Sequence, residues 1–282
     1  RGAQQEQLLQ DWIVNNYDSW KLQRAVITIP VVVQLWVSSS TISDVVVQQQ
    51  IDVLNQDFRR LNADTSNTPS VFAAVAADCE IEFCLASVDP QGNPTTGIIR
   101  KTVGGSPTGS DLWDATSYLN LYVYNIGGGT LGYTYLPSQA PNSAVHIDDN
   151  NFGITGAQAP YNKGRTATHE VGHWLNLEHI WGDANCGNDF VSDTPPQQQD
   201  NGGCPSHPYN QGVCNGNTDG EMFMNYMDYV NDNCMNTFSA GQKGSGSKAS
   251  LSSSVATGAA IAAAAAAGGG GPFRKQAQSM AD

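Results

Sequence analysis

The chain has 282 residues, of which 40% are hydrophobic and 9% aromatic, enough for a sizeable core in one large or two smaller domains. Against 13 Lys and Arg stand 26 Asp and Glu, a net charge of −13 that disfavours nucleic acid and anionic membrane surfaces as partners. No run of 18 apolar residues occurs, so the sequence offers no transmembrane helix.

In chain order, residues 1–24 read as a polar lead-in, and their start, RGAQQEQLLQDW, reads as that of a processed, mature form. AVITIPVVVQLWVSS (25–39) is rich in β-branched residues and predicts a central strand. Over 42–62 Val46, Ile51, Leu54, Phe58 and Leu61 recur at helical spacing, with Ser43 or Asp44 as the cap. Segments 79–90, 119–128 and 143–149 alternate like strands, and 127–137 reads as a Gly-rich edge. Helical character returns over KGRTATHEVGHW and runs to about Leu175, after which 181–240 is turn-rich. From 244 to 271, 23 of 28 residues are Ala, Gly or Ser, which predicts a low-complexity tail over 243–282.

Six cysteines occur: Cys79, Cys84, Cys186, Cys204, Cys214 and Cys234. Their even number in a Gly-, Asn- and Pro-rich context predicts disulfides and an oxidising, extracellular compartment. Sequence alone permits three pairings of the last four. Cys79 and Cys84 are a candidate third bond, although five residues along a strand places them on opposite faces.

The chemistry concentrates in HEVGHWLNLEH (169–179). His169 and His173, four residues apart, share one helix face, and such imidazoles suit zinc. Glu170, beside the first histidine, is the acid placed to take a proton from a water polarised by the metal. His179 can be the third ligand only if the chain turns sharply after His173, and Asn176 stands where a left-handed residue is needed.

This segment resembles the extended zinc motif of the metzincin endopeptidases, with Asn176 where most members have Gly. Met227 in MNYMDY (224–229) fits the Met-turn of that clan, and Tyr229 matches a tyrosine that aids the tetrahedral intermediate. Within the metzincins the chain resembles the pappalysin family over residues 25–242, carried by 164–183, 186–195 and 224–242 together with 52–62 and 81–98. The resemblance implies an α/β (α+β) catalytic domain: a twisted mixed sheet with backing and active-site helices, over a smaller irregular C-terminal subdomain. The upper subdomain is expected over about 25–179 and the lower over about 180–242.

It also implies zinc on His169, His173 and His179, Glu170 as general base and Met227 as a floor beneath the metal. Calcium is implied near Asp189, Val191, Asp193 and Thr194, where hard oxygen ligands stand in an irregular loop. Disulfides Cys186–Cys214 and Cys204–Cys234 are implied by the same likeness. Substrate is expected to lie along an edge strand at Thr130, Leu131 and Gly132. The family's S1′ position falls on Asn233, with Asp232 one residue away and directed elsewhere, which weakens a preference for Lys or Arg at P1′. The expectation is a secreted, monomeric zinc endopeptidase acting on peptides or proteins. Two other readings are a non-catalytic module that keeps the fold, and a zinc hydrolase acting on something other than internal peptide bonds. Glu170 argues against the first and an open cleft against the second.

Overall fold

The computed structural model describes residues 26–244 except 138, 141, 142, 213 and 215. The expected lead-in over 1–24 and nearly all of the tail over 243–282 lie outside the described residues.

Strand β1 (Ile27–Leu35) is the spine of the molecule. Its last seven residues are all buried, as a strand covered on both faces requires. β2 (Ala76–Ala77) is separate; β3 (Ile81–Leu85) and β4 (Ile98–Arg100) pair in parallel with successive parts of one side of β1. β5 (Leu119–Tyr124) pairs in parallel on the other side, followed by β7 (Val145–Asp148). The short β6 (Gly132–Tyr133) closes the order β3-β1-β5-β7-β6 and is its one antiparallel member. The expected Gly-rich edge over 127–137 is thus two residues of strand preceded by a turn, because Gly127, Gly128 and Gly129 all take positive φ.

Helix α1 (Asp44–Phe58) starts where Ser43 Oγ accepts from the Val46 N–H at 3.4 Å. It buries Val46, Val47, Ile51, Val53, Leu54 and Phe58, each apolar side chain contributing roughly 1.5–3 kcal/mol to the core. Gln50 and Asp57 lie on the same buried stripe, seven residues apart. Gln50 takes the Gly153 N–H at 2.8 Å and donates to the Gly164 carbonyl at 2.9 Å, tying α1 to the residue just before Arg165, where the next long helix starts. A single turn, α2 (Ser70–Ala73), precedes β2. Helix α3 (Arg165–Trp174) is buried along its whole length and packs between α1, β7 and β6.

After α3 the described residues form no helix or strand until β8 (Phe238–Ser239), which pairs with β2 and returns the chain to the upper half. Disulfides Cys186–Cys214 and Cys204–Cys234 stitch this irregular part, in the pairing the family likeness implies. The Cys79–Cys84 bond does not form. Cys79 is buried in the core, whereas β3 turns Ile81 and Phe83 inward and Cys84 outward to solvent. Strand alternation, with Glu80 at positive φ between, keeps the two sulfurs on opposite faces.

Candidate active site

Helix α3 presents His169 and His173 one turn apart, and both are buried. It ends in a Schellman motif: Asn176 N–H donates to the His173 carbonyl at 2.8 Å and Leu177 N–H to the Gly172 carbonyl at 3.0 Å. Asn176 takes φ 69°, the left-handed conformation that the turn demands. The reversal brings His179 back, so that His173 Nε2 lies 3.0 Å from both His169 Nε2 and His179 Nε2.

The outer ring nitrogens settle the tautomers. His169 Nδ1 faces the Tyr226 carbonyl at 2.7 Å, His173 Nδ1 the Leu177 carbonyl at 2.7 Å, and His179 Nδ1 the Asp183 carboxylate at 2.6 Å. Each partner only accepts, so each Nδ1 carries the proton and each Nε2 presents a bare lone pair. Burial pushes all three rings below the usual histidine range, His173 to about 4; neighbouring imidazoles add to this at His169 and His173, whereas the Asp183 carboxylate opposes it at His179. Three neutral nitrogens converging without a proton between them are a donor set for a borderline cation such as zinc, with the carbonyl and carboxylate partners orienting the rings. Among the described residues no other group of three or more His, Cys, Asp or Glu brings ligand atoms so close together.

Met227 is fully buried beneath this cluster, and Gly172 makes room for it. A Cβ on Gly172 would stand 2.4 Å from Met227 Sδ. Glu170 lies on the cleft side of α3, with Oε2 buried and without a hydrogen-bond partner in the protein. Burial pushes its carboxyl up to about 8. Tyr229 is partly exposed, and its phenol donates to His179 Nε2 at 3.0 Å. Trp181 stacks flat on His179, with centroids 4.2 Å apart.

A cleft of about 430 Å³ opens beside these groups, lined on one side by Thr130, Leu131 and Gly132 and on the other by Asp228, Tyr229 and Val230. The Leu131 carbonyl is taken by the Asp148 N–H at 2.8 Å, so strand alternation turns the backbone groups of Gly132 to the open edge of the sheet. A Cβ on Gly132 would press on Glu170 Cγ at 3.0 Å, so glycine lets the edge strand pass close to the acid.

The expectation for the pocket beyond is reversed. Asp232, not Asn233, lines the cleft. A turn closed by Cys234 N–H on the Asn231 carbonyl directs Asn233 to solvent beside the Cys204–Cys234 bridge. Asp232 Oδ2 accepts from the Lys163 and Arg165 N–H groups at the head of α3, a placement the helix dipole favours.

Asp189 and Asp193 point to different partners. Asp189 accepts from the Thr194 hydroxyl at 2.6 Å and the Val191 N–H, and the Thr194 hydroxyl also reaches the Val191 carbonyl at 2.9 Å. Asp193 accepts from the Ser239 hydroxyl and the Gly241 N–H. Sequence reasoning passed over Asp57, Arg165 and Tyr226, which form a buried polar cluster behind His169. Their signal was present only as a carboxylate on the apolar stripe of α1.

Such an arrangement places the chain among the metalloproteases, and comparison narrows the class. The sequence profile of the peptidase family described as pregnancy-associated plasma protein-A matches residues 106–245. Extracellular metalloprotease 1 of Coccidioides posadasii is 44% identical over 131 residues, covering 44% of this chain and 46% of that protein. An extracellular metalloprotease of Colletotrichum graminicola is 31% identical over 241 residues, covering 78% of this chain and 74% of its own length. Mature mirolysin of Tannerella forsythia, in complex with a cleaved peptide, superposes with a TM-score of 0.75 at 42% identity, covering 84% of this chain and 96% of that one. The chain therefore belongs to the pregnancy-associated plasma protein-A family of peptidases, the pappalysins. It spans about half to two thirds of the length of the curated relatives first matched.

Proposed function

We propose that this protein is a secreted zinc endopeptidase that cuts internal peptide bonds of extended substrates, with His169, His173 and His179 holding the metal. The observation that carries the reading is the convergence of three unprotonated Nε2 atoms beside a buried carboxylate whose Oε2 has no partner in the protein, in an open cleft. Zinc bound there would supply Lewis acidity to the scissile carbonyl and the attacking water. Glu170 takes the proton of that water at its free Oε2 and returns it to the leaving amine. The Tyr229 phenol donates to the oxyanion as charge develops on it. Gly132 pairs its outward backbone groups with the substrate main chain, adding a strand to the sheet edge.

Asp232 gives the reading a finer form. A carboxylate lining the cleft next to the reacting groups favours Lys or Arg at P1′, since a cation leaving water needs a paired anion. Relatives named extracellular metalloprotease, and the disulfides, support a secreted location. The net charge of −13 supports a peptide substrate over nucleic acid or anionic membrane, and the working unit is taken as a monomer. The catalytic unit is read as closing near Gln242, whose buried side-chain amide exchanges two hydrogen bonds with Asn225. Calcium at the Asp189–Thr194 loop belongs to the same proposal, supported by the buried Asp189 carboxylate and the Val191 carbonyl.

Digestion of a peptide library with and without a zinc chelator tests the whole. Internal cuts that vanish with chelator and carry Lys or Arg at P1′ are the expected result. Cuts without a basic preference would remove the role given to Asp232. No cuts from zinc-loaded protein would overturn the enzyme. Loss of thermal stability on calcium-selective chelation is expected, and an unchanged Tm would remove calcium.

A further inference from the structure

We propose that Asp57, on the backing helix, is a positioning residue of the metal site: its one carboxylate fixes both partners of the hydrogen bond that aims His169. That bond runs from His169 Nδ1 to the Tyr226 carbonyl at 2.7 Å. On the acceptor side, the Tyr226 phenol donates to Asp57 Oδ1 at 2.7 Å. On the donor side, the hydroxyl of Thr168, the residue before His169, donates to Asp57 Oδ2 at 2.8 Å. The carboxylate thus bridges α3 and the segment that carries Met227, two pieces of chain that meet at the site and nowhere share a regular element.

A simpler account would make Asp57 a counter-ion for Arg165, and the distances argue against it. Arg165 is matched without Asp57: its guanidinium meets both oxygens of Asp64 at 2.6 and 2.7 Å and the carbonyls of Asp232 and Met235 at 2.6 and 2.5 Å. Asp57 reaches it only at 3.4 Å, whereas its short bonds go to the two hydroxyls. An apolar residue would fill this stripe of α1 at lower desolvation cost. A carboxylate earns its place here by holding two hydroxyls at a fixed separation, which an apolar residue cannot do. Partners that orient a metal-binding imidazole commonly set metal affinity by 10–100-fold when removed.

The inference rests on the metalloprotease reading only for what His169 is aimed at. Asp57→Asn removes one acceptor and a charge from the core and can fail to fold, so Tyr226→Phe and Thr168→Val carry the test. Three quantities are measured on each: the zinc dissociation constant by chelator competition, the Tm of the metal-free chain, and the exchange rate of the His169 imidazole N–H by NMR. Zinc binding weaker by about 10-fold in each variant, with faster N–H exchange, is expected. Thr168→Ser, which keeps the hydroxyl, should restore both. Unchanged zinc affinity and N–H exchange, with only a lower Tm, would make Asp57 a stability device and overturn the proposal. A parent chain that binds no zinc overturns the proposed function instead. The N–H exchange rates in the metal-free chain still decide the role of Asp57 in that case, faster exchange supporting it and equal rates sinking it.

Discussion

The two halves of the molecule share one apolar core but differ in what else holds them. The upper half is a parallel sheet whose spine, β1, is buried on both faces and whose helices dock by apolar side chains. The lower half, from Trp181 to Thr237, has no helix or strand among its described residues. It lends Met222, Phe223, Met224, Met227 and Val230 to the same apolar core, and is otherwise held by two disulfides and by polar satisfaction around buried Asp228, which takes hydrogen bonds from Asn201, Gln197 and the Tyr229 N–H. The site draws on both. His169, Glu170 and His173 ride on a helix set by core packing, whereas Tyr229 and the Asp183 partner of His179 come from the stitched half. A rigid helix fixes two imidazoles cheaply, but completing the set needs the irregular half to stay in register.

The largest effect should come from a change that touches neither half's stability. Glu170→Gln keeps the size of the side chain and removes its basicity. Peptidase activity is expected to fall by about 10³-fold or more, with zinc stoichiometry and Tm kept. Measured zinc content beside residual activity separates the two, and full activity in the variant would remove Glu170 from the chemistry.

Reduction of the disulfides should divide the halves. The bridges close spans of 28 and 30 residues, each worth roughly 3.6 kcal/mol of loop entropy. Under reductant the lower half is expected to lose hydrogen-exchange protection and the enzyme its activity, while β1, β5 and α1 stay protected. Loss of protection in both halves at one denaturant concentration would show a single cooperative unit instead.

The same contrast decides what could be read from sequence. β1, α1 and α3 were legible because their apolar patterns carry the elements, with ends displaced by up to a few residues. The histidine set was legible because four of its features, two histidines at helical spacing, the acid, the turn residue and the third histidine, lie within eleven residues. Contacts across long separations were not. Asp57 looks like an ordinary polar break in a helix until α3 and Tyr226 are brought to it. Family likeness alone could not show that a tight turn at 231–234 puts Asp232 in the cleft wall and Asn233 in solvent. The free state of Cys79 and Cys84 follows from which face of β3 meets the core, and spacing alone hinted at it.

Acid should weaken the upper half through His146. Its ring stacks on Tyr133 with centroids 4.2 Å apart and meets the Tyr124 hydroxyl at 3.2 Å, and burial pushes it down to about 4. The native state therefore binds fewer protons than the unfolded chain below the ordinary histidine value of about 6.5. Stability is full above pH 6.5 and is lost as pH falls from there towards 4. Because the ring is only partly buried, the loss is expected to be about 1–2 kcal/mol. Denaturation of zinc-loaded protein across that range, beside His146→Phe, isolates the term. An equal slope in the variant would assign the acid lability elsewhere.

The smallest effect sits at the joint between the halves. Asn176 holds φ 69° where the chain leaves α3 for His179. Glycine takes this conformation without a Cβ clash, and Asn tolerates it better than other L-residues. Asn176→Gly is therefore expected to change stability by less than about 0.5 kcal/mol, and Asn176→Ala to cost about 1 kcal/mol. Zinc affinity gives the sharper reading, because the turn delivers His179 to the other two histidines. If only the backbone angle matters, Gly binds zinc as the parent does and Ala binds it more weakly. Should Gly also weaken zinc, the joint needs the stiffness that a side chain gives, and the position of His179 depends on the rigidity of this turn as well as on its direction.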